Sequence, residues 1–146
     1  MPNHVEDFLT QSEEEAVIEA IRIAESNTSG EIRVHIERSS NNDATNRALE
    51  VFHLLKMDNT KLQNAVLIYV AVDEKTFVIY GDKGINDVVA SDFWDSTKNL
   101  IQSHFKNGNF KQGLVEGIIK SGEQLKKYFP YHDSDTNELS NEISKG

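Results

Sequence analysis

A glycine-bearing segment, 81–87, carries the residues of this sequence best suited to bind a metal ion. It reads Gly-Asp-Lys-Gly-Ile-Asn-Asp, so two carboxylates and an amide stand in a loop whose glycines let the backbone curl around an ion. Calcium and magnesium prefer such hard oxygen ligands. The sequence therefore predicts a divalent cation site, for calcium first and magnesium second. Its predicted ligands, two of which come from other segments, are Glu31, Asp58, Asp82 and Asp87.

The same carboxylates have a simpler interpretation as turn residues. Asp and Asn favour turns because their side chains hydrogen-bond the local backbone, and this needs no ligand. Other patterns in the sequence give a metal site less support. The stretch 133–137 resembles the opening of an EF-hand loop, but Glu138 replaces the required glycine and Ser144 the required glutamate. None of the five histidines has metal-site spacing with another, and His35 is more simply explained by packing under a helix edge.

Periodic apolar residues predict the elements that position the acidic loop. Ile32, Val34 and Ile36 alternate with polar residues, which indicates a half-buried strand at 31–38. The almost continuous apolar run at 64–72 is typical of a central strand covered on both faces. A short link then predicts an antiparallel hairpin with a third strand at 76–80. Helices are expected at 10–26, 44–57, 92–107 and 110–129. This order predicts an α/β protein, a three-layer α/β/α sandwich whose small mixed sheet of about three to four strands is flanked by about four helices.

The directions of these strands bring the candidate ligands to one edge of the sheet. The strand–helix–strand unit at 31–72 should form a right-handed parallel crossover. The third strand runs back, so its end lies beside the starts of the first two. We call this edge the acidic rim; its predicted members are Glu31, Asp58, Asn64, Asp82 and Asp87. Asp43 is expected at the opposite edge.

Length and composition exclude several classes of function. A chain of 146 residues favours one domain, and the absence of cysteine excludes disulfides and thiolate zinc sites. A net charge of -9 disfavours binding to nucleic acid and favours cations. The longest apolar run, 65–72, is far shorter than the ~20 residues that cross a bilayer. Without a recognisable signal segment, the expectation is a cytoplasmic protein with no membrane insertion.

Several segments, taken in order, resemble the TPM domain family. They are 29–34, 64–70, 77–85 and 113–122, with Tyr-Phe-Pro at 128–130. The resemblance implies a domain at 1–130 with an α/β/α sandwich on a small, usually four-stranded sheet. Residues 131–146 are acidic and poor in apolar side chains, so a disordered tail is expected there. Most members of the family are membrane-anchored or exported, whereas this sequence shows neither a leader nor an anchor.

The predicted function is a divalent-metal binding domain whose loops become ordered when the ion binds. Crowded carboxylates repel one another without metal, so the loops should loosen in its absence. This behaviour suits a sensing or interaction role, with a protein partner that the sequence does not identify. The alternative is a metal-dependent acid phosphatase, which rests on the family resemblance alone, because some plant members resemble acid phosphatases and bind calcium. No catalytic residue is assigned.

Overall fold

The computed structural model of this chain describes residues 8–131 and 139–146. In these residues the chain forms five helices and a mixed sheet of four strands. The elements in chain order are α1 (Gln11–Glu25), β1 (Glu31–Glu37), α2 (Ala44–Leu54), β2 (Ala65–Ala71), β3 (Thr76–Gly81), α3 (Lys83–Asn86), α4 (Asp95–Lys106), α5 (Phe110–Lys126) and β4 (Ser144–Lys145). No helix in the two described ranges is both long and apolar enough to span a bilayer. The EF-hand-like stretch at 133–137 lies outside the described residues.

β2 is a central strand of the sheet, as its apolar run predicts. The strand order is β3-β2-β1-β4. β2 pairs in parallel with β1, which places Glu31 opposite Ala65, and antiparallel with β3, which places Ile68 opposite Ile79. All seven residues of β2 are buried. The parallel crossover and the hairpin are therefore both confirmed.

Helices cover both faces of the sheet and complete the predicted three-layer sandwich. On one face, Ile32 and Ile68 belong to an apolar core that includes buried residues of α1, α4 and α5. On the other face, Val51 and Phe52 of α2 form a second core with Leu67. The two cores arise because successive side chains of a strand point to opposite sides of the sheet.

Capping side chains fix the starts of α1 and α2. At α1, Thr10 Oγ1 accepts a hydrogen bond from the backbone N–H of Glu13 at 3.2 Å, and Glu13 Oε1 accepts one from the N–H of Thr10 at 2.9 Å. This reciprocal pair is a capping box. At α2, Asp43 Oδ1 accepts from the N–H of Asn46 at 3.4 Å. Both helices therefore begin where the sequence predicts.

The segment predicted as a loop at 81–87 contains a short helix instead, α3. Its Gly84 lies against the loop after α2 (residues 55–64). A Cβ atom built on Gly84 would be 2.2 Å from the carbonyl oxygen of Leu62 and 2.5 Å from that of Gln63. No side chain fits at such a distance, so glycine is needed here for close packing. The sequence indicates only the backbone freedom of glycine.

The last residues form a strand, which corrects the expectation of disorder for this part of 131–146. In β4, Ser144 is paired with His35 of β1, and Ser144 Oγ lies 2.9 Å from His35 Nδ1. Lys145 Nζ lies 2.6 Å from Glu14 Oε1 of α1. The paired serine and histidine are 109 positions apart in the chain, so local composition does not reveal their contact. The division of the chain at residue 130 stays a prediction.

Candidate functional site

The acidic rim forms where the starts of β1 and β2 meet the end of β3. Glu31, the first residue of β1, stands opposite Ala65, the first residue of β2. Asp82 follows β3 directly and donates its backbone N–H to the carbonyl oxygen of Ala65 at 2.9 Å. Two predicted ligands thus flank Ala65 on either side. The strand directions inferred from the sequence are correct.

Asp82 is a buried carboxylate, and only one of its two oxygens accepts a hydrogen bond from the described residues. It is 8% exposed, and its Oδ1 caps α3 by accepting the backbone N–H of Lys83 at 2.7 Å. Its Oδ2 is buried and accepts no hydrogen bond from any described residue. Burial raises the pKa of Asp82, the hydrogen bond from Lys83 lowers it, and the charge of Asp58 raises it again. Such an unsatisfied buried oxygen is costly when the group is ionised.

Asp58 brings a second negative charge near Asp82, from the loop after α2. Its Oδ2 lies 3.2 Å from Nδ1 of His53, and about half of its side chain is exposed. Thr60 lies in the same loop and is buried, and its Oγ1 finds no partner among the described residues. Because Gly84 holds this loop against α3, the oxygen atoms of both segments belong to one packed unit.

The other two predicted ligands, Glu31 and Asp87, are engaged elsewhere. Glu31 is buried and interacts with Glu25 at the end of α1. Asp87 is largely exposed, and its Oδ2 lies 2.9 Å from Nζ of Lys83. Within the described ranges, no group of three or more His, Cys, Asp or Glu side chains is arranged to hold a metal ion. The structure therefore brings Asp58 and Asp82 within electrostatic range of each other but does not assemble all four carboxylates.

Replacing Glu25 with glutamine should make the stability of the protein less sensitive to a rise in pH between ~4.3 and about 8. Burial raises the pKa of Glu25 to about 8, although its Oε2 accepts the backbone N–H of Ile32 at 2.8 Å, and the neighbouring Glu31 adds to the rise. In the unfolded chain this pKa is ~4.3. The folded state therefore binds the extra proton, and the resulting stabilisation is complete below the unfolded pKa and is lost as pH rises through about 8.

Thermal melts between about pH 5 and about pH 9 measure this effect. The wild-type protein should lose stability across this range, and Glu25→Gln should lose less. Glu15→Gln provides the matched control, because Glu15 lies on the exposed side of the same helix. Equal pH slopes for the wild type and Glu25→Gln would contradict the prediction.

A second ionisable cluster lies on the α2 side of β1, and the sequence does not reveal it as a unit. Glu37 accepts hydrogen bonds from Arg47 Nε at 2.7 Å and Nη2 at 3.0 Å, and another from the hydroxyl of Tyr69. Its Oε1 also lies 3.0 Å from Nε2 of His35. We call these four residues, His35, Glu37, Arg47 and Tyr69, the Glu37 network. Both carboxylate oxygens have two partners, so the cluster serves to join β1, β2 and α2.

The ionisation of the Glu37 network follows from these contacts. Burial by itself raises the pKa of Glu37, but the hydrogen bonds from Arg47, Tyr69 and His35 together lower it to about 2. Burial lowers the pKa of His35, against the opposing effect of Glu37. The network therefore holds one carboxylate, ionised at neutral pH, beside a guanidinium and a histidine.

The comparisons with known proteins agree with this architecture. The family model for the TPM domain matches residues 3–124. Among solved structures, the chain is similar to the NMR structure of the BA42 protein from the psychrophilic bacterium Bizionia argentinensis, with 68% identity and a TM-score of 0.92. That match covers 97% of this chain and 98% of BA42. No curated protein matches the sequence.

Two more distant structures share the fold. The N-terminal domain of a protein from P. gingivalis has 19% identity and a TM-score of 0.69, and the match covers 86% of this chain and 83% of that domain. The N-terminal domain of the cg2496 protein from Corynebacterium glutamicum has 12% identity and a TM-score of 0.61, with coverage of 94% and 81%. At these identities the likeness establishes the fold alone.

Proposed function

This chain belongs to the TPM domain family, whose model matches residues 3–124, and from that premise we propose that it binds a divalent cation at the acidic rim. The ion is calcium, with magnesium as the second choice, and it is held by Asp82 together with Asp58. Binding orders the loop after α2 and the adjoining α3. The domain then acts as a sensor or interaction module, whose partner protein distinguishes the ordered rim from the loose one.

The observation that carries this proposal is the unsatisfied Oδ2 of Asp82. This oxygen is buried and accepts no hydrogen bond from the described residues, while the charge of Asp58 acts on the same carboxylate. A buried carboxylate needs a counter-charge, a donor or a proton. A divalent cation placed between the two aspartates supplies the counter-charge to both. Burial raises the pKa of Asp82, and the charge of Asp58 raises it further.

The loop after α2 and the start of α3 carry donor atoms of the kinds that suit a hard cation. Asp58 and Asp82 offer carboxylates, Thr60 offers a buried hydroxyl, and the carbonyl oxygens of Leu62 and Gln63 approach α3 at Gly84. Calcium is bound by such mixed sets of carboxylate and carbonyl oxygens. Magnesium keeps several water molecules and is often held by one or two carboxylates. The residues present therefore fit either ion, and neither choice requires Glu31 or Asp87.

Calcium should raise the melting temperature of the protein, and Asp82→Asn should remove most of this increase. An ion that binds only the folded state stabilises it by RT ln(1 + [L]/Kd), which is about 2.7 kcal/mol at a hundredfold excess over Kd. Asparagine keeps an acceptor for the N–H of Lys83 but lacks the charge. In the presence of a chelator the variant should melt at or above the wild-type temperature, because it no longer buries an ionisable carboxylate.

Asp43→Asn is the matched control for this experiment. It removes one negative charge at the opposite edge of the sheet, and asparagine caps helices about as well as aspartate. The calcium-dependent increase should survive in this variant. If Asp82→Asn retains the full calcium-dependent increase in melting temperature, the ion binds elsewhere. If calcium changes neither the melting temperature nor the amide resonances of 58–64 and 82–88, the proposal of cation binding is wrong. The phosphatase alternative stays a prediction, and hydrolysis of an aryl phosphate by the calcium-loaded protein tests it.

A further inference from the structure

At the outer edge of β3, backbone N–H and C=O groups are not hydrogen-bonded to any other strand of the described residues. In the strand order β3-β2-β1-β4, β3 has a neighbour on one side only. The N–H of Asp82 donates to β2. In an antiparallel ladder the backbone groups alternate, so the N–H and C=O of every second residue of β3 point away from β2. These outward residues are Phe77, Ile79 and Gly81. The carbonyl of Gly81 is capped by the side chain of Asn86 at 3.0 Å, which leaves Phe77 and Ile79 as the open edge.

A groove of about 790 Å³ follows this open edge. Phe77, Phe105 and Phe110 line it on the α4 side, and Thr45 of α2 lines it on the other side of the sheet. The rings of Phe77 and Phe105 are in edge contact, with centroids 5.3 Å apart. The groove therefore combines an apolar wall with unpaired backbone, which are the two features that an added strand requires.

Three lysines surround the groove, and no acidic residue lines it. Lys75, Lys98 and Lys106 are exposed, and no described carboxylate forms an ion pair with any of them. The whole chain carries a net charge of -9, so this basic group is a local exception. Lys106 lies eight helical positions after Lys98, a rise of about 12 Å. Two residues four positions apart on one face of a strand are separated by about 13 Å, close to the same distance.

We propose that this groove binds an extended acidic peptide, which adds an antiparallel strand to the open edge of β3. Peptide residues opposite Phe77 and Ile79 exchange backbone hydrogen bonds with them and direct their side chains towards α4. An apolar side chain at the centre packs on the phenylalanine wall. Acidic side chains two positions to either side reach Lys98 and Lys106. The three lysines around the groove repel segments that carry lysine in place of the acidic residues.

The test uses a fluorescein-labelled peptide, Thr-Glu-Thr-Val-Thr-Glu-Thr, blocked at both ends, titrated with the full chain at low salt. Fluorescence anisotropy should show saturable binding of this peptide. The same peptide with lysine in place of both glutamates should not bind. N-methylation of the valine should abolish binding, because this amide faces the edge of β3. N-methylation of the following threonine is the matched control, because its amide faces away, and should leave binding intact.

Charge-reversed variants of the protein locate the site. Lys98→Glu with Lys106→Glu should weaken binding by about tenfold or more, because each lost charge pair is replaced by a repulsive one. Lys126→Glu with Lys127→Glu, which reverses two exposed charges at the end of α5, should change it less than about twofold. Circular dichroism confirms that both variants are folded. Absence of saturable binding, equal affinity for the lysine peptide, or indifference to N-methylation of the valine would each overturn the proposal.

Discussion

Replacing Glu37 with alanine should lower the free energy of unfolding by about 2–4 kcal/mol, because it leaves buried hydrogen-bonding groups without their acceptor, at about 1–3 kcal/mol each. Glu37 is 4% exposed and is the common acceptor of the Glu37 network. Without it, the buried Tyr69 hydroxyl loses its acceptor and His35 loses its partner at Nε2. Arg47 is about one-third exposed and can turn to water. Urea denaturation at neutral pH measures the loss.

Glu50→Ala is the control for this variant. It also removes a carboxylate near Arg47, at 3.3 Å, but that carboxylate is largely exposed, so the loss should stay below about 1 kcal/mol. The pKa of Glu37 gives a second check. Because it is lowered to about 2, its stabilisation is complete above the unfolded pKa of ~4.3 and is lost as pH falls from there. The difference in free energy of unfolding between the wild type and Glu37→Ala should therefore become smaller in acid. A difference that does not change with pH would contradict the stabilising role of ionised Glu37.

Ile68→Ala should cost about 2–5 kcal/mol, the range for truncating a large aliphatic side chain in a packed core. Ile68 is fully buried at the middle of β2, between Val34 and Ile79 on the neighbouring strands. Its side chain lies in the larger apolar core, which cannot collapse easily onto the space left by the missing atoms. Chemical denaturation gives the free energy, and amide exchange of β2 should accelerate in parallel.

Leu54→Ala offers a comparison that removes the same number of carbon atoms. Leu54 ends α2 and is 68% exposed, so its truncation should change stability by less than about 0.5 kcal/mol. Similar losses in the free energy of unfolding for Ile68→Ala and Leu54→Ala would mean that β2 is not at the centre of the cooperative core. Rapid exchange of the β2 amides in the wild type would lead to the same conclusion.

The main elements of the fold could be predicted because their signals are local. The alternation of Ile32, Val34 and Ile36 marks β1, and the unbroken apolar run marks β2, since both patterns follow from which faces are covered. The order of elements then fixes the strand directions. These directions are sufficient to place Asp82 and Glu31 at the same edge of the sheet.

The missed elements depend on distant contacts. The sequence of α3 predicts a loop because its glycines allow the backbone to curl, whereas Gly84 is needed for close packing against carbonyl groups of another segment. β4 is two polar residues long, and its contacts are with His35 and Glu14 far away in the chain. No periodic pattern over two residues can indicate a strand.

The candidate site was only partly predictable for the same reason. A shared edge does not fix side-chain partners, so the sequence could not show that Glu31 meets Glu25 or that Asp87 meets Lys83. The sequence gives only a weak indication of the Glu37 network. His35 and Glu37 are polar residues on a strand face that a helix covers, and such residues need buried partners. Only the register of β1 with β2 shows that Tyr69 is one of them.

The pairings of the sheet close chain loops of very different lengths, and this has a consequence for the order of folding. β2 and β3 are joined by a tight turn, β1 and β2 by a helix with its loops, and β1 and β4 through residues 109 positions apart. Longer loops cost more entropy to close, so the hairpin should form first and the β1–β4 pairing last. Gly146 follows β4 and packs so tightly that a Cβ atom there would lie 2.8 Å from Glu37 Oε1. We therefore expect the contact between Gly146 and Glu37 to form late, after the strands and helices of the apolar core have assembled.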